Sequence, residues 1–154
     1  MKEIADLLAE HPFTRGLPEE TRAFIAGCAK NVRFDPGAYI YRNGEDADHF
    51  YLIRHGTAAL ELFDPVRGPL TFLTVKAGEI LGVSWLVPPY RRHYDARAVE
   101  LTRAIAFDAR CLRDKCEADH DLGYEMMKRF MPPLLERLEA ARLQSADVYG
   151  TSGR

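Results

Sequence analysis

The chain has 154 residues, 47% hydrophobic and 29% charged, which suits one soluble globular unit with a buried core. Its 21 Lys+Arg against 23 Asp+Glu give a net charge of -2, which argues against a dedicated nucleic-acid binder with a basic face. No apolar run is long enough to span a bilayer, and acidic residues interrupt the apolar N-terminal segment, so neither a membrane helix nor a signal peptide is expected.

In chain order, Ile4, Leu7 and Leu8 stand at helical spacing and predict a short amphipathic helix. A second helix is predicted in FTRGLPEETRAFIAGCAK, where Pro18, Glu19 and Glu20 suit a first turn. From Asn31 the texture changes to short runs rich in Val, Ile, Thr, Tyr and Phe: NVRF, AYIYR, HFYLIRH, TAALELF, LTFLTV, YDARAV and RAIAF. Glycine-containing turns separate many of them. The predicted class is mainly β with flanking α, an antiparallel β-barrel of the jelly-roll type.

After Phe107 the pattern returns to helix. Asp108 is the expected N-cap of DARCLRDKCEAD. A long helix is predicted from Asp119 or Asp121 to about Tyr149, kinked or divided by Pro132 and Pro133. Leu122, Met126, Phe130, Leu134, Leu138, Ala141, Ser145 and Val148 repeat at steps of four and three, a seam for packing against another surface. Nothing later in the chain covers this seam, so a homodimer is expected through Leu122, Met126, Phe130, Leu134 and Leu138. The predicted organisation is a single domain over 1–149 with a tail at 150–154. Helices fill 1–30, the barrel 31–107 and the C-terminal helices 108–149.

Cys28, Cys111 and Cys116 are odd in number and irregularly spaced, which favours free thiols in a reducing cytoplasm. Cys116 and His120 alone do not make a metal site, and no metal or other cofactor is expected. The close His pair of a metal-dependent cupin is absent, and no nucleophile–base constellation stands in a supporting context, so an enzyme is not expected.

In FDPGAYIYRNGEDADHFYLIRHGTAALEL, Pro36, Gly37, Gly44, Asp48, Phe50, Tyr51, Leu52, Ile53 and Gly56 stand in a distinctive order. The stretch resembles the first half of a cyclic nucleotide-binding domain, the sensor domain of the catabolite activator type. The resemblance covers roughly the whole chain. It implies a phosphate cassette, here over 78–94, in which a Gly opens a short helix, a Glu accepts from the ribose and an Arg pairs with the phosphate. Aligned on ARAV, the Gly falls on Gly82 and the Arg on Arg92, leaving Arg91 to point elsewhere. The implied ligand-binding residues are Gly82, Val83, Ser84, Trp85, Arg92, His93 and Tyr94.

Two departures bear on the ligand. Val83 stands where the ribose-binding Glu belongs, and His93 and Tyr94 replace small residues. Cyclic AMP is therefore expected to bind weakly. The chain ends at Arg154 after the long helix, with no sequence for a recognition helix, so direct DNA binding is not expected. The expected function is a cytoplasmic regulatory domain that senses a cyclic nucleotide or another small phosphate and signals to a partner protein. The competing expectation is a docking module whose pocket is closed by Val83, Trp85, His93 and Tyr94.

Overall fold

The computed structural model describes residues 2–152, with side chains for 2–143. Helices α1 (Ile4–Glu10) and α2 (Glu19–Ala26) precede eight strands: β1 (Ala29–Phe34), β2 (Tyr39–Tyr41), β3 (His49–His55), β4 (Thr57–Asp64), β5 (Gly68–Lys76), β6 (Ile80–Leu81), β7 (Asp95–Ala98) and β8 (Thr102–Asp108). A single 3-10 turn (Val83–Leu86) follows β6, and helices α3 (Ala109–Ala118) and α4 (His120–Ser152) close the order. The strands form two four-stranded sheets, β1-β8-β3-β6 and β2-β7-β4-β5, with antiparallel pairing throughout. Each long strand lies within two residues of its predicted run, and the two-residue β6 is an addition.

The run HFYLIRH is almost continuously apolar because its sheet is covered on both faces. Along β3, Tyr51 and Ile53 enter the core between the two sheets, beside Tyr41, Leu60, Val75, Leu81 and Ala96. Phe50 and Leu52 enter a second core, formed with Leu7, Leu8, Phe13 and Ile25 from the N-terminal segment, Leu112 from α3 and Trp85.

That second core corrects the expected dimer seam. Leu122, Met126 and Phe130 of α4 are buried in their own chain, where Phe130 lies 4.9 Å from Phe13 and 5.3 Å from Phe50 between ring centroids. Leu134 packs half-buried against the same core, and Leu138 alone of the five is exposed. The periodicity identified a packing stripe, but the surface it packs on is the chain's own sheet. Burying Met126 and Phe130 is worth roughly 1.5–3 kcal/mol each, which anchors the first half of α4. Pro132 and Pro133 do not divide the helix, which runs as one element to Ser152. They occupy exposed and half-buried positions, and their missing N–H groups leave the Lys128 and Arg129 carbonyls outside the helical ladder. The side chains of Ser145 and Val148 lie outside the described residues, as do residues 153 and 154.

The cysteine reading is also corrected. Cys28, just before β1, and Cys111, in the first turn of α3, form a disulfide with a Cα separation of 5.6 Å. Only Cys116 is free among the described residues. Spacing gave no hint of this because 83 residues separate the partners. They meet because Cys28 follows α2 and Asp108, the N-cap of α3, donates its N–H to the Cys28 carbonyl at 2.7 Å.

The N-terminal segment is tied to β3 by buried His11. Its Nε2–H donates to the Ile53 carbonyl at 2.9 Å, and its Nδ1 accepts from the Phe13 N–H at 3.1 Å. Both contacts are satisfied only by the neutral ring. Burial, and less strongly Arg54, lower its pKa, and this outweighs the Ile53 hydrogen bond. Below about pH 6.5 the unfolded chain therefore takes up a proton that the folded chain refuses. Stability should fall as pH drops from 6.5 toward the folded-state value, with a limit near 1.4 kcal/mol per pH unit. Urea midpoints from pH 7.5 to 5 should show this slope, and His11→Gln should flatten it.

Gly56 joins β3 to β4 at φ +92°. A Cβ there would overlap the Leu101 carbonyl oxygen and lie 2.7 Å from Thr102 Cα. Backbone strain and overlap together predict that Gly56→Ala costs at least ~2 kcal/mol, read as a lowered denaturation midpoint.

Candidate functional site

The site is built where the two sheets approach β6 and the segment before β7. Gly82 follows β6 at φ +91°, a conformation that turns the chain into the 3-10 turn. A Cβ on Gly82 would lie 2.7 Å from Arg92 Nη1, so this glycine also makes room for a guanidinium. Arg92 is held from its backbone: its N–H donates to the Glu45 carbonyl at 2.8 Å, and its carbonyl accepts from the Gly44 N–H at 2.9 Å. The glycine turn at Gly44 thereby fixes the direction of the arginine side chain.

Arg92 is only 3% exposed. Its Nη2 donates to the His49 carbonyl on β3, and its Cζ sits 4.0 Å from the centroid of the Tyr41 ring on β2. Its Nε and Nη1 have no hydrogen-bond partner. None of the ion pairs among the described residues includes it. Burial, followed by neighbouring Tyr94, holds the Tyr41 hydroxyl far above its ordinary value against the pull of Arg92 and Arg137. Tyr41 is therefore a neutral ring under the cation and does not neutralise it. A buried cation with two idle donors has unused capacity for oxygen acceptors.

Arg91 differs in every respect. It is exposed, pairs with Asp46 at 3.2 Å and donates to the Gly44 carbonyl at 3.1 Å. The two adjacent arginines thus face opposite ways, as extended backbone requires.

The remaining predicted residues divide. Val83 and Ser84 open the 3-10 turn beside Gly82 and are half-buried. Tyr94 is half-buried against Tyr41, with centroids 5.9 Å apart, and Phe72 of β5 meets it edge-on at 5.3 Å. Trp85 and His93 are not brought to the guanidinium. The Trp85 ring lies in the helix-side core, stacked on Phe50 at 4.8 Å and tilted against Phe130 at 5.6 Å. His93 is exposed on the outer side of the strand connection.

Two residues of this region escaped the sequence reading, Tyr41 and Phe72, whereas Arg137 stood in a part of the long helix that the family resemblance had marked. Tyr41 and Phe72 sat inside strand runs with no mark beyond apolarity. Arg137 reaches from α4 to donate to the Ile80 carbonyl at 2.5 Å, so the helix touches the strand that leads into Gly82. Its place in the long-helix region offered a signal, but its target was not readable. No group of three or more His, Cys, Asp or Glu residues suited to a metal occurs among the described residues, and no described helix is long and apolar enough to cross a membrane.

Comparison with known proteins bears on the family and the fold. The sequence model of the cyclic nucleotide-binding domain matches residues 31–119. A structure from Geobacter metallireducens, described as a cyclic nucleotide-binding protein, superposes with a TM-score of 0.78 at 28% identity, covering 90% of this chain and 99% of that one. A cyclic nucleotide-binding domain from Methylobacillus flagellatus gives a TM-score of 0.71 at 19% identity, covering 97% and 82%. The sensor domain of the transcriptional regulator DNR from Pseudomonas aeruginosa gives 0.68 at 18%, covering 87% and 90%. The last two show likeness of fold. With the family match spanning more than half of its length, the chain belongs to the cyclic nucleotide-binding domain family.

Proposed function

We propose that this chain is a cytoplasmic regulatory domain that takes a small organic phosphate at Arg92 and passes the event through its C-terminal helices to a partner protein. The observation that carries the reading is the buried Arg92 guanidinium, with Nε and Nη1 unpartnered beside Gly82. Each idle buried donor costs on the order of 1–3 kcal/mol, and a phosphate oxygen accepting from both recovers that cost. In this reading, the backbone N–H groups of Gly82, Val83 and Ser84 at the cassette turn are the further donors to the phosphate. A route to the exterior exists in two contacts. Trp85 of the cassette turn rests on Phe130 of α4, and Arg137 of α4 holds the Ile80 carbonyl. A ligand that moves the cassette therefore shifts the balance of α4 positions.

Val83 supplies no acceptor for a ribose hydroxyl, so cyclic AMP loses about tenfold to a hundredfold in affinity by the cost of one unpaired buried group. The second reading, a docking module, is favoured by a different observation. Tyr41, Tyr94 and Phe72 pack ring against ring beside the guanidinium, aromatic bulk that would compete with a ligand. Titration calorimetry with cyclic AMP and cyclic GMP separates the two. The sensor reading expects weak binding that Val83→Glu strengthens and Arg92→Ala weakens by roughly 1.5–3 kcal/mol, with Arg91→Ala nearly silent. No heat with either nucleotide for both wild type and Val83→Glu favours the docking module.

We also propose homodimerisation, on a corrected face of α4. Tyr124, Met127, Met131, Leu135 and Leu138 follow steps of three and four and are all exposed. They lie on the side of α4 away from the buried Leu122, Met126 and Phe130. A second copy offering the same stripe would cover it as a two-helix seam. Sedimentation should show a dimer at micromolar concentration, and Met131→Glu with Leu138→Glu should give a monomer of unchanged far-UV spectrum. A wild-type monomer would remove the dimer while leaving the ligand site intact.

A further inference from the structure

We propose that Cys28–Cys111 is a reversible thiol–disulfide couple that sets the position of the phosphate cassette through α3. This goes beyond ligand sensing and does not require that any nucleotide binds.

The two sulfurs are unequally placed. Cys28 is buried in the helix-side core, whereas Cys111 is half-exposed in the first turn of α3. A small thiol can therefore reach Cys111 Sγ first, and Cys28 is the leaving thiolate. With glutathione as reductant, the first thiolate attacks Cys111 Sγ, forms a mixed disulfide and releases Cys28, which takes a proton. A second glutathione attacks the mixed disulfide, freeing Cys111 as its thiol and leaving oxidised glutathione. Two electrons and two protons pass from two glutathiones to the protein, and the reverse exchange restores the bond. Cys116 is a poor competitor, because burial and then nearby Asp119 and Glu117 hold its thiol protonated.

The coupling runs along one helix. Two residues after Cys111, Arg113 donates Nη1–H to the Trp85 carbonyl at 2.6 Å, and its guanidinium lies 4.0 Å from the centroid of Tyr90. Trp85 and Tyr90 both lie within the loop that joins Gly82 to Arg92. The disulfide fixes α3 to the end of α2. Without it, the β1–β8 ladder that begins at Ala29 opposite Phe107, the Asp108 N–H bond to the Cys28 carbonyl and the Lys115 contact over Phe24, at 3.9 Å, still join these segments but leave α3 beyond its first turn free of a covalent tie. The covalent tether thus limits the positions from which Arg113 can hold the cassette turn.

The test uses the wild-type chain in glutathione buffers of graded ratio. Alkylation in denaturant should label one thiol, Cys116, in the oxidised protein and three in the reduced one. Trp85 is the single tryptophan of the sequence, so its emission reports the cassette directly. The expected result is a red shift of Trp85 emission that follows the thiol count, with an unchanged far-UV spectrum. The shift should vanish in the Cys28→Ser/Cys111→Ser variant. In Arg113→Gln the thiol titration should persist while the emission shift shrinks. Three labelled thiols at every ratio overturn the couple. A thiol change without an emission change overturns the coupling, and loss of the far-UV spectrum on reduction reduces the bond to a structural staple and overturns the switch. None of these outcomes depends on nucleotide binding, so failure here is distinct from failure of the sensor reading.

Discussion

Arg92 is a cation enclosed where the two sheets meet, and much of the surrounding architecture exists to hold it there. Its partners come from four separate segments: the His49 carbonyl on β3, the Tyr41 ring on β2, the Gly44–Glu45 backbone and the side-chain-free face of Gly82. Burying a charge costs several kcal/mol before compensation. A cation–π contact returns about 0.5–2 kcal/mol and a charged hydrogen bond about 1.5–3 kcal/mol. The account is left open by two idle nitrogens. An enclosed cation with unused donors is stable in a fold only if the rest of the structure over-determines it or an anion completes it.

The surroundings show over-determination by packing and not by charge. Tyr41, Tyr94 and Phe72 form a continuous aromatic run from the guanidinium to the exposed edge of β5. On the helix-facing side of the other sheet, where β3 lies, Trp85, Phe50 and Phe130 join the cassette turn to α4. The cassette therefore lies between two aromatic clusters, one around the Arg92 guanidinium and one toward the helices. Interiors packed this closely are stiff and transmit strain. This is the physical basis for relating events at Gly82–Arg92 to the position of α4.

Legibility in the sequence followed the range of the interactions. The strands were readable because their signals are local: alternating β-branched and aromatic residues, stopped by turns such as those at Gly44 and Gly56. The Asp108 cap was readable for the same reason, and its carboxylate does accept from the Cys111 N–H. The placement of Arg92 inside and Arg91 outside could be expected only through the family resemblance and the alternation of extended backbone. Long-range facts were not readable. The α4 periodicity described a stripe but not its partner, and the exposed stripe at Tyr124, Met127 and Met131 was overlooked because the buried one was more regular. The Cys28–Cys111 bond, the Tyr41 platform and the Arg137 reach to Ile80 all join residues that only the fold brings together.

The central claim is that the idle donors of Arg92 receive an anion. Nitrogen-15 spectra of arginine side chains test it most directly, with the Arg92 Nε–H signal assigned by its loss in Arg92→Lys. On titration with cyclic AMP or inorganic phosphate, the account predicts a saturable downfield shift of the Arg92 Nε–H, with the Arg91 signal unmoved. An Arg92 signal that stays fixed while another arginine shifts to saturation would contradict the account and place the anion elsewhere on the chain.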